Sequence, residues 1–198
     1  MTLLTHSNTL NLWQDIIHEA ETVSEIQLEK DLESYLISLL IRYTDKPEIT
    51  KQIMAMSFLT GMTPSNKQGV LALQSVGDQC LLFSGLFPNM AEKRLVKISY
   101  FVNLGRVAYL TLSKDNNDIY GSLSHYFVAL MDVLQAIRQY NEEFPNLLPL
   151  QAYDLWNEVG SQRALKVLRQ YSQATPLQIY PEEENLSRIK IKKSLSAD

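Results

Sequence analysis

The spacing of the apolar residues restricts the fold of this chain more than any other feature. Apolar side chains recur at helical intervals along almost its whole length, and no segment alternates apolar with polar residues as a half-buried strand does. The sequence therefore predicts an all-α protein. We expect a helical bundle of about seven helices around one central apolar helix at about 96–112.

Capping and turn residues indicate where the helices begin and end. Asp45 followed by Pro47 is typical of a helix start, and this helix would end near Gly61. The loop at 114–118 supplies Asn117 or Asp118 as the next N-cap. The first expected helix carries an apolar stripe from Trp13 to Val23. The others are at about 28–43, 66–87 (with a break allowed at Gly77), 118–140, 150–159 and 161–171, the last two meeting at Gly160.

The helix at about 96–112 carries apolar residues around nearly its whole circumference. A helix that is hydrophobic on all sides is usually buried, so we expect it at the centre of the bundle. Phe101 and Leu104 should then both lie in the core. Truncating either one to Ala should cost about 3–5 kcal/mol of unfolding free energy, because each would leave a cavity.

The charge pattern changes near the C-terminus. The helical spacing stops beyond Pro176, where Glu182–Glu184 are followed by the basic segment Arg188–Lys193. Such a segment has too few large apolar groups to form its own core. We therefore expect a single helical domain over 1–175 and a flexible charged tail over 176–198, which is either solvated or an arm that touches anionic surfaces.

Composition excludes several classes of protein. With 45% hydrophobic and 20% charged residues, the chain is typical of a globular protein rather than a disordered one. Its net charge of −4 argues against a nucleic-acid partner. No apolar stretch approaches the length of a membrane span, no basic residue precedes an apolar run at the N-terminus, and the lone Cys80 cannot form an intramolecular disulfide. These features predict a cytoplasmic protein.

The residue inventory offers little catalytic chemistry. His6, His18 and His125 are too far apart to resemble a zinc site, so we expect no metal and no cofactor. Cys80 lies within an apolar stripe, which favours a buried, unreactive thiol. No phosphate-binding loop, nucleophile elbow or zinc-protease motif is present, and the isolated Gly77 and Gly105 are more typical of close helix packing.

One polar strip interrupts the predicted central helix. Ser99, Asn103 and Arg106 share one face at helical spacing, and a buried Arg106 would require an anionic partner. Asp78 on the preceding helix is the natural candidate. The pair is either a structural ion pair or part of a pocket that holds a ligand carboxylate or phosphate, with Tyr hydroxyls nearby. The candidate ligand-binding residues are Asp78, Tyr100, Asn103 and Arg106, and Tyr109 is a further hydroxyl donor.

The segments VGDQCLLFSGLFP at 76–88 and SYFVNLGR at 99–106 resemble an uncharacterised family of proteobacterial hypothetical proteins of similar length. The resemblance implies a bacterial cytoplasmic origin. It implies no activity, ligand or fold.

Two functional hypotheses follow from these patterns. The first is a non-catalytic helical interaction protein whose partner is a second copy of itself, as a homodimer, or another protein. The second is an anionic small-molecule binding protein or enzyme with its pocket around Arg106 and Asp78. The first is favoured, because no second catalytic group accompanies Arg106.

Overall fold

A computed structural model of the protein describes residues 2–45, 67–88, 97–114, 118–139 and 147–171. Nearly all of these residues are helical, and none of them forms a strand, so the all-α prediction is confirmed. The described ranges hold eight helices: α1 (Thr2–Ser24), α2 (Lys30–Asp45), α3 (Lys67–Gly85), α4 (Ile98–Leu112), α5 (Ile119–His125), α6 (Phe127–Gln139), α7 (Pro149–Val159) and α8 (Gln162–Tyr171).

The helix boundaries agree with most of the predicted ones. α3 continues through Gly77 without the break that the sequence allowed. The predicted helix at 118–140 is instead two helices, α5 and α6, separated at Tyr126. The helix expected at 45–61 and the charged tail at 176–198 lie outside the described residues.

Two of the predicted boundary residues act as expected. Asp118 caps α5, because its Oδ1 accepts a 2.7 Å hydrogen bond from the Gly121 N–H, and its Oδ2 accepts another from the Lys114 N–H. Gly160 ends α7 in the left-handed conformation, with φ of 77°, which glycine adopts without steric cost.

The structure divides into two compact units with a boundary between Asn146 and Leu147, where the sequence predicts one domain over 1–175. The second unit contains α7 and α8, which pack against each other. The buried apolar side chains of this helical pair are Ala152, Leu155, Trp156, Ala164 and Val167.

In the first unit, the central helix is α3 and not the helix at 96–112 that the sequence predicts there. Every residue from Val76 to Gly85 is buried, and α3 packs against both α4 and α6. α4 is buried on one side, where it contacts α3 and α5. Its other side leaves Tyr100, Val107 and Leu110 about half exposed, so the expectation of burial around its whole circumference is wrong.

The two glycines singled out in the sequence lie where helices approach closely, as predicted. A Cβ atom at Gly105 of α4 would lie 2.5 Å from the ring of Phe127 and 2.8 Å from Cβ of Cys80. The missing side chain therefore lets α4 pack directly against its neighbours. Cys80 itself is fully buried, and burial raises its thiol pKa to about 12, in agreement with the predicted unreactive thiol.

Candidate functional site

A buried carboxylate lies at the centre of the first unit. Asp78 of α3 is 7% exposed and accepts hydrogen bonds from three side chains. The Tyr35 and Tyr109 hydroxyls donate to its Oδ1 at 2.5 and 2.8 Å, and Nη2 of Arg42 donates to its Oδ2 at 3.1 Å. Because the donors come from α2 and α4, the carboxylate joins three helices.

Tyr109 reaches Asp78 because the residue before Asp78 has no side chain. A Cβ atom at Gly77 would lie 2.5 Å from Cε1 of Tyr109, so any larger residue would displace the ring. The Tyr109 ring also packs against the rings of Tyr35, Tyr120 and Phe127. This aromatic packing holds the fully buried hydroxyl in line with the carboxylate.

α2 contributes the other two donors from one face. Tyr35 and Arg42 are seven residues apart, which places them two turns apart on the same side of the helix. The guanidinium carbon of Arg42 lies 5.8 Å from the centre of the Tyr35 ring, within the range of a cation–π contact. The Gln74 amide also donates to the Tyr35 hydroxyl, at 3.4 Å.

Burial dominates the electrostatics of this cluster. It raises the pKa of Asp78 above its ordinary value, against the opposing effects of Tyr35, Arg42 and Tyr109. It also raises the pKa of both tyrosines, and the negative charge of Asp78 raises them further. The two hydroxyls therefore remain protonated donors, as the geometry requires.

A small pocket opens beside the ion pair. Its volume is about 160 Å³, and it lies between α2 and α3. Its lining combines the ion pair with two further polar and two apolar side chains: Leu39, Arg42, Leu71, Gln74, Ser75 and Asp78. The Arg42 side chain is 44% exposed, so the guanidinium is accessible from solvent.

The predicted pairing of Asp78 with Arg106 is wrong. Arg106 is exposed at the edge of α4, and its Nε donates to the Ser124 carbonyl oxygen at 3.2 Å. The Ser124 hydroxyl in turn donates to the Arg106 carbonyl oxygen at 3.0 Å. Placing a guanidinium at a solvated edge avoids the desolvation cost of burying it, and the side of α4 that faces Asp78 is filled by Tyr109.

The other predicted site residues also lie away from Asp78. Asn103 is exposed on α4, and Tyr100 is 54% exposed with its ring edge against Phe101. Of the two tyrosines considered as hydroxyl donors, Tyr109 contacts the carboxylate. Tyr35 and Arg42 were missed, although Tyr35 was recognisable as part of the inward face of α2.

His18 and His125 lie on the surface. His18 contacts two glutamates, with Nδ1 3.1 Å from Oε2 of Glu21 and Nε2 3.7 Å from Oε1 of Glu33. His125 lies against the ring of Tyr126. Within the described ranges, no group of three or more His, Cys, Asp or Glu side chains is placed to hold a metal ion.

Comparison with protein-family models, curated proteins and solved structures finds no match to this chain. The resemblance to proteobacterial hypothetical proteins stays a prediction. Among the described helices, none combines the length and apolar character that crossing a bilayer requires.

Proposed function

We propose that this protein is a non-catalytic, cytoplasmic interaction protein that forms a homodimer through the exposed side of α4. The observation that carries the proposal is the α4 stripe, defined as Tyr100, Val107 and Leu110, which are 54%, 48% and 56% exposed. Scattered exposed apolar residues are common, but these three follow one face of a helix. An apolar helical stripe of this kind is typical of a surface that packs against another helix.

The chemistry of this side of the helix favours a protein partner. α4 contains no acidic residue, and its single charged residue, Arg106, lies at the edge of the stripe. A face without a cluster of positive charge has little to attract nucleic acid or an anionic membrane. Thr111 borders the apolar residues and supplies a hydrogen-bonding group at the rim, as in many interfaces.

The order of residues along the stripe favours a second copy of the chain. In an antiparallel pair of α4 helices related by a two-fold axis near Gly105, Tyr100 of one copy faces Leu110 of the other. Asn103 then faces Val107 near the axis. Two-fold homodimers are the commonest oligomers, and they require a surface that is complementary to itself in this way.

The proposal is tested by the mass of the full chain in solution, measured by light scattering over a range of concentrations. We expect the wild-type protein to have the mass of two chains and the Leu110→Glu variant to have the mass of one. The matched control is Leu12→Glu on α1, since Leu12 is 57% exposed and Leu110 is 56% exposed. This control should remain dimeric.

Two results would contradict the proposal. A wild-type protein that stays monomeric at every concentration would exclude self-association. A Leu110→Glu variant that dimerises as well as wild type would place the interface elsewhere. Circular dichroism of both variants establishes that neither substitution has unfolded the protein.

A further inference from the structure

We infer that the pocket between α2 and α3 is a binding site for a small monocarboxylate with a short aliphatic chain, whose carboxylate would pair with Arg42. This inference is independent of the proposed dimer, because the pocket residues lie on α2 and α3 and the α4 stripe does not line the pocket. Three features of the pocket favour such a ligand: the donors that Arg42 leaves available, the occupied acceptors of Asp78, and the side chains of the lining.

Some N–H groups of the Arg42 guanidinium remain available to a ligand. A guanidinium carries five N–H groups in a planar fork, and it can hold two carboxylates at once. Within the described part of the chain, its Nη2 donates to Asp78, and its side chain also lies within hydrogen-bonding reach of Tyr35. The ion pair and the contact with the Tyr35 ring fix the position of the guanidinium, while 44% of the side chain remains exposed.

Asp78, by contrast, has its acceptors largely occupied. Three donors already bind its two oxygens, and one of them is the cation that balances its charge. An ammonium ligand would have to displace Arg42 from Asp78. An anionic ligand can instead bind the free side of Arg42 and leave the existing ion pair intact, so the pocket favours an anion.

The other side chains that line the pocket indicate which groups the ligand would carry besides its carboxylate. Leu39 of α2 and Leu71 of α3 both line the pocket, so they offer apolar contacts to an aliphatic chain. Gln74 and Ser75 supply polar groups beside Arg42. A cavity of about 150 Å³ holds a molecule of about six heavy atoms, which is the size of butanoate. The pocket has a volume of about 160 Å³ and is open to solvent on one side, so it has room for a carboxylate of this length.

The test is a titration of the full chain with sodium butanoate at constant ionic strength, followed by two-dimensional amide NMR. We expect saturable shifts at Leu39, Leu71, Gln74 and Ser75, with a Kd on the order of millimolar, as is typical of ligands of this size. Butanamide, which has the same shape without the charge, should bind at least about tenfold more weakly because it lacks a charge-assisted hydrogen bond to Arg42. Stronger binding of butylammonium than of butanoate would overturn the inference.

Two variants connect the binding to this pocket. Leu71→Trp fills the pocket from a residue that is 63% exposed, so the fold should tolerate it while the affinity for butanoate falls at least about tenfold. Val70→Trp changes the neighbouring residue, which does not line the pocket, and should bind butanoate as wild type does. Unchanged binding by Leu71→Trp would overturn the inference.

Arg42→Lys tests the recognition itself. Lysine keeps the positive charge beside Asp78 but lacks the planar fork, so we expect butanoate to bind about tenfold more weakly than to wild type.

Equal affinity for butanoate and butanamide in the wild-type protein would show that Arg42 does not recognise the carboxylate. The mass of the wild-type chain in solution, which tests the proposed dimer, is not expected to change with butanoate.

Discussion

The hydroxyl of Tyr109 donates a 2.8 Å hydrogen bond to Oδ1 of Asp78, and both side chains are buried where α4 packs against α3. A buried carboxylate that loses a donor keeps its desolvation cost without the compensating bond. This relationship makes the cluster around Asp78 sensitive to the loss of any one donor.

Replacing Tyr109 with Phe should lower the free energy of unfolding by about 1–3 kcal/mol, because it removes one donor to Asp78 and keeps the ring. Urea unfolding gives this value directly. The control is Tyr100→Phe, since the Tyr100 side chain is 54% exposed. If the two variants unfold at the same urea concentration, the Tyr109 hydroxyl contributes nothing measurable to stability.

Asp78 should make stability depend on pH in a specific direction. Burial raises its pKa in the folded protein, so the folded state binds its proton more tightly than the unfolded state does. The contribution of Asp78 to stability is then fully present below its unfolded pKa of about 3.9 and is lost as pH rises through the folded pKa. The stability of wild type relative to Asp78→Asn should therefore fall over that interval and stay level above it. A relative stability that rises with pH would mean that the donors outweigh burial.

His18 should give the stability a second dependence on pH, which arises from neighbouring negative charge and not from burial. Its hydrogen bond to Glu21 and the charge of Glu33 raise its pKa in the folded protein. The added stability is fully present below the unfolded histidine pKa of about 6.5 and is lost as pH rises through the folded value. The effect should be small, because the side chain is 59% exposed. His18→Gln should remove this pH dependence, whereas substitution of the exposed His125 should leave it unchanged. The measurement is thermal unfolding at several pH values.

The end of α1 contains a strained residue. Glu25 has a φ of 58°, and the hydrogen bonds from the N–H groups of Glu25 and Ile26 to the carbonyls of Thr22 and Glu21 form a Schellman motif. Glycine is preferred at this position, so Glu25→Gly should raise the free energy of unfolding by about 1 kcal/mol. Glu19→Gly, in the exposed interior of α1, should lower it by about 1 kcal/mol. Thermal unfolding of the two variants should thus show shifts of opposite sign.

The sequence predicts that Phe101 and Leu104 both lie in the core, but the structure buries them to different extents. Phe101 is 2% exposed and stacks on Phe83, so Phe101→Ala should cost about 3–5 kcal/mol. Leu104 is only partly buried, so its truncation should cost clearly less than that of Phe101. Equal losses in urea unfolding would show that Leu104 is as well packed as Phe101.

Helical periodicity and capping chemistry are local, and the sequence predicted them well. Asp118 caps α5 with its carboxylate, and Gly160, which has no side chain, ends α7 in the left-handed conformation. Periodicity also gave α4 as a helix, but its composition alone did not show which side is buried. The three half-exposed residues of the α4 stripe are as apolar as those that pack against α3.

The partner of Asp78 could not be predicted, because it depends on how helices that are distant in sequence pack together. Arg42 of α2 and Arg106 of α4 each lie on a helix next to α3, and either could reach Asp78 in some arrangement of the bundle. The structure resolves the choice through Gly77, which admits the Tyr109 ring on the α4 side and leaves the α2 side to Arg42. The one sequence signal that could have indicated α2 is Tyr35, an inward-facing polar residue seven positions before Arg42.

The donors to Asp78 lie far from it along the chain. Tyr35 and Arg42 precede it by 43 and 36 residues, and Tyr109 follows it by 31. Contacts between such distant residues form more slowly than individual helices do. We therefore expect Asp78 to keep its water until α2 and α4 dock on α3, which would make its desolvation a late event in folding. Loss of a donor should consequently speed unfolding more than it slows folding.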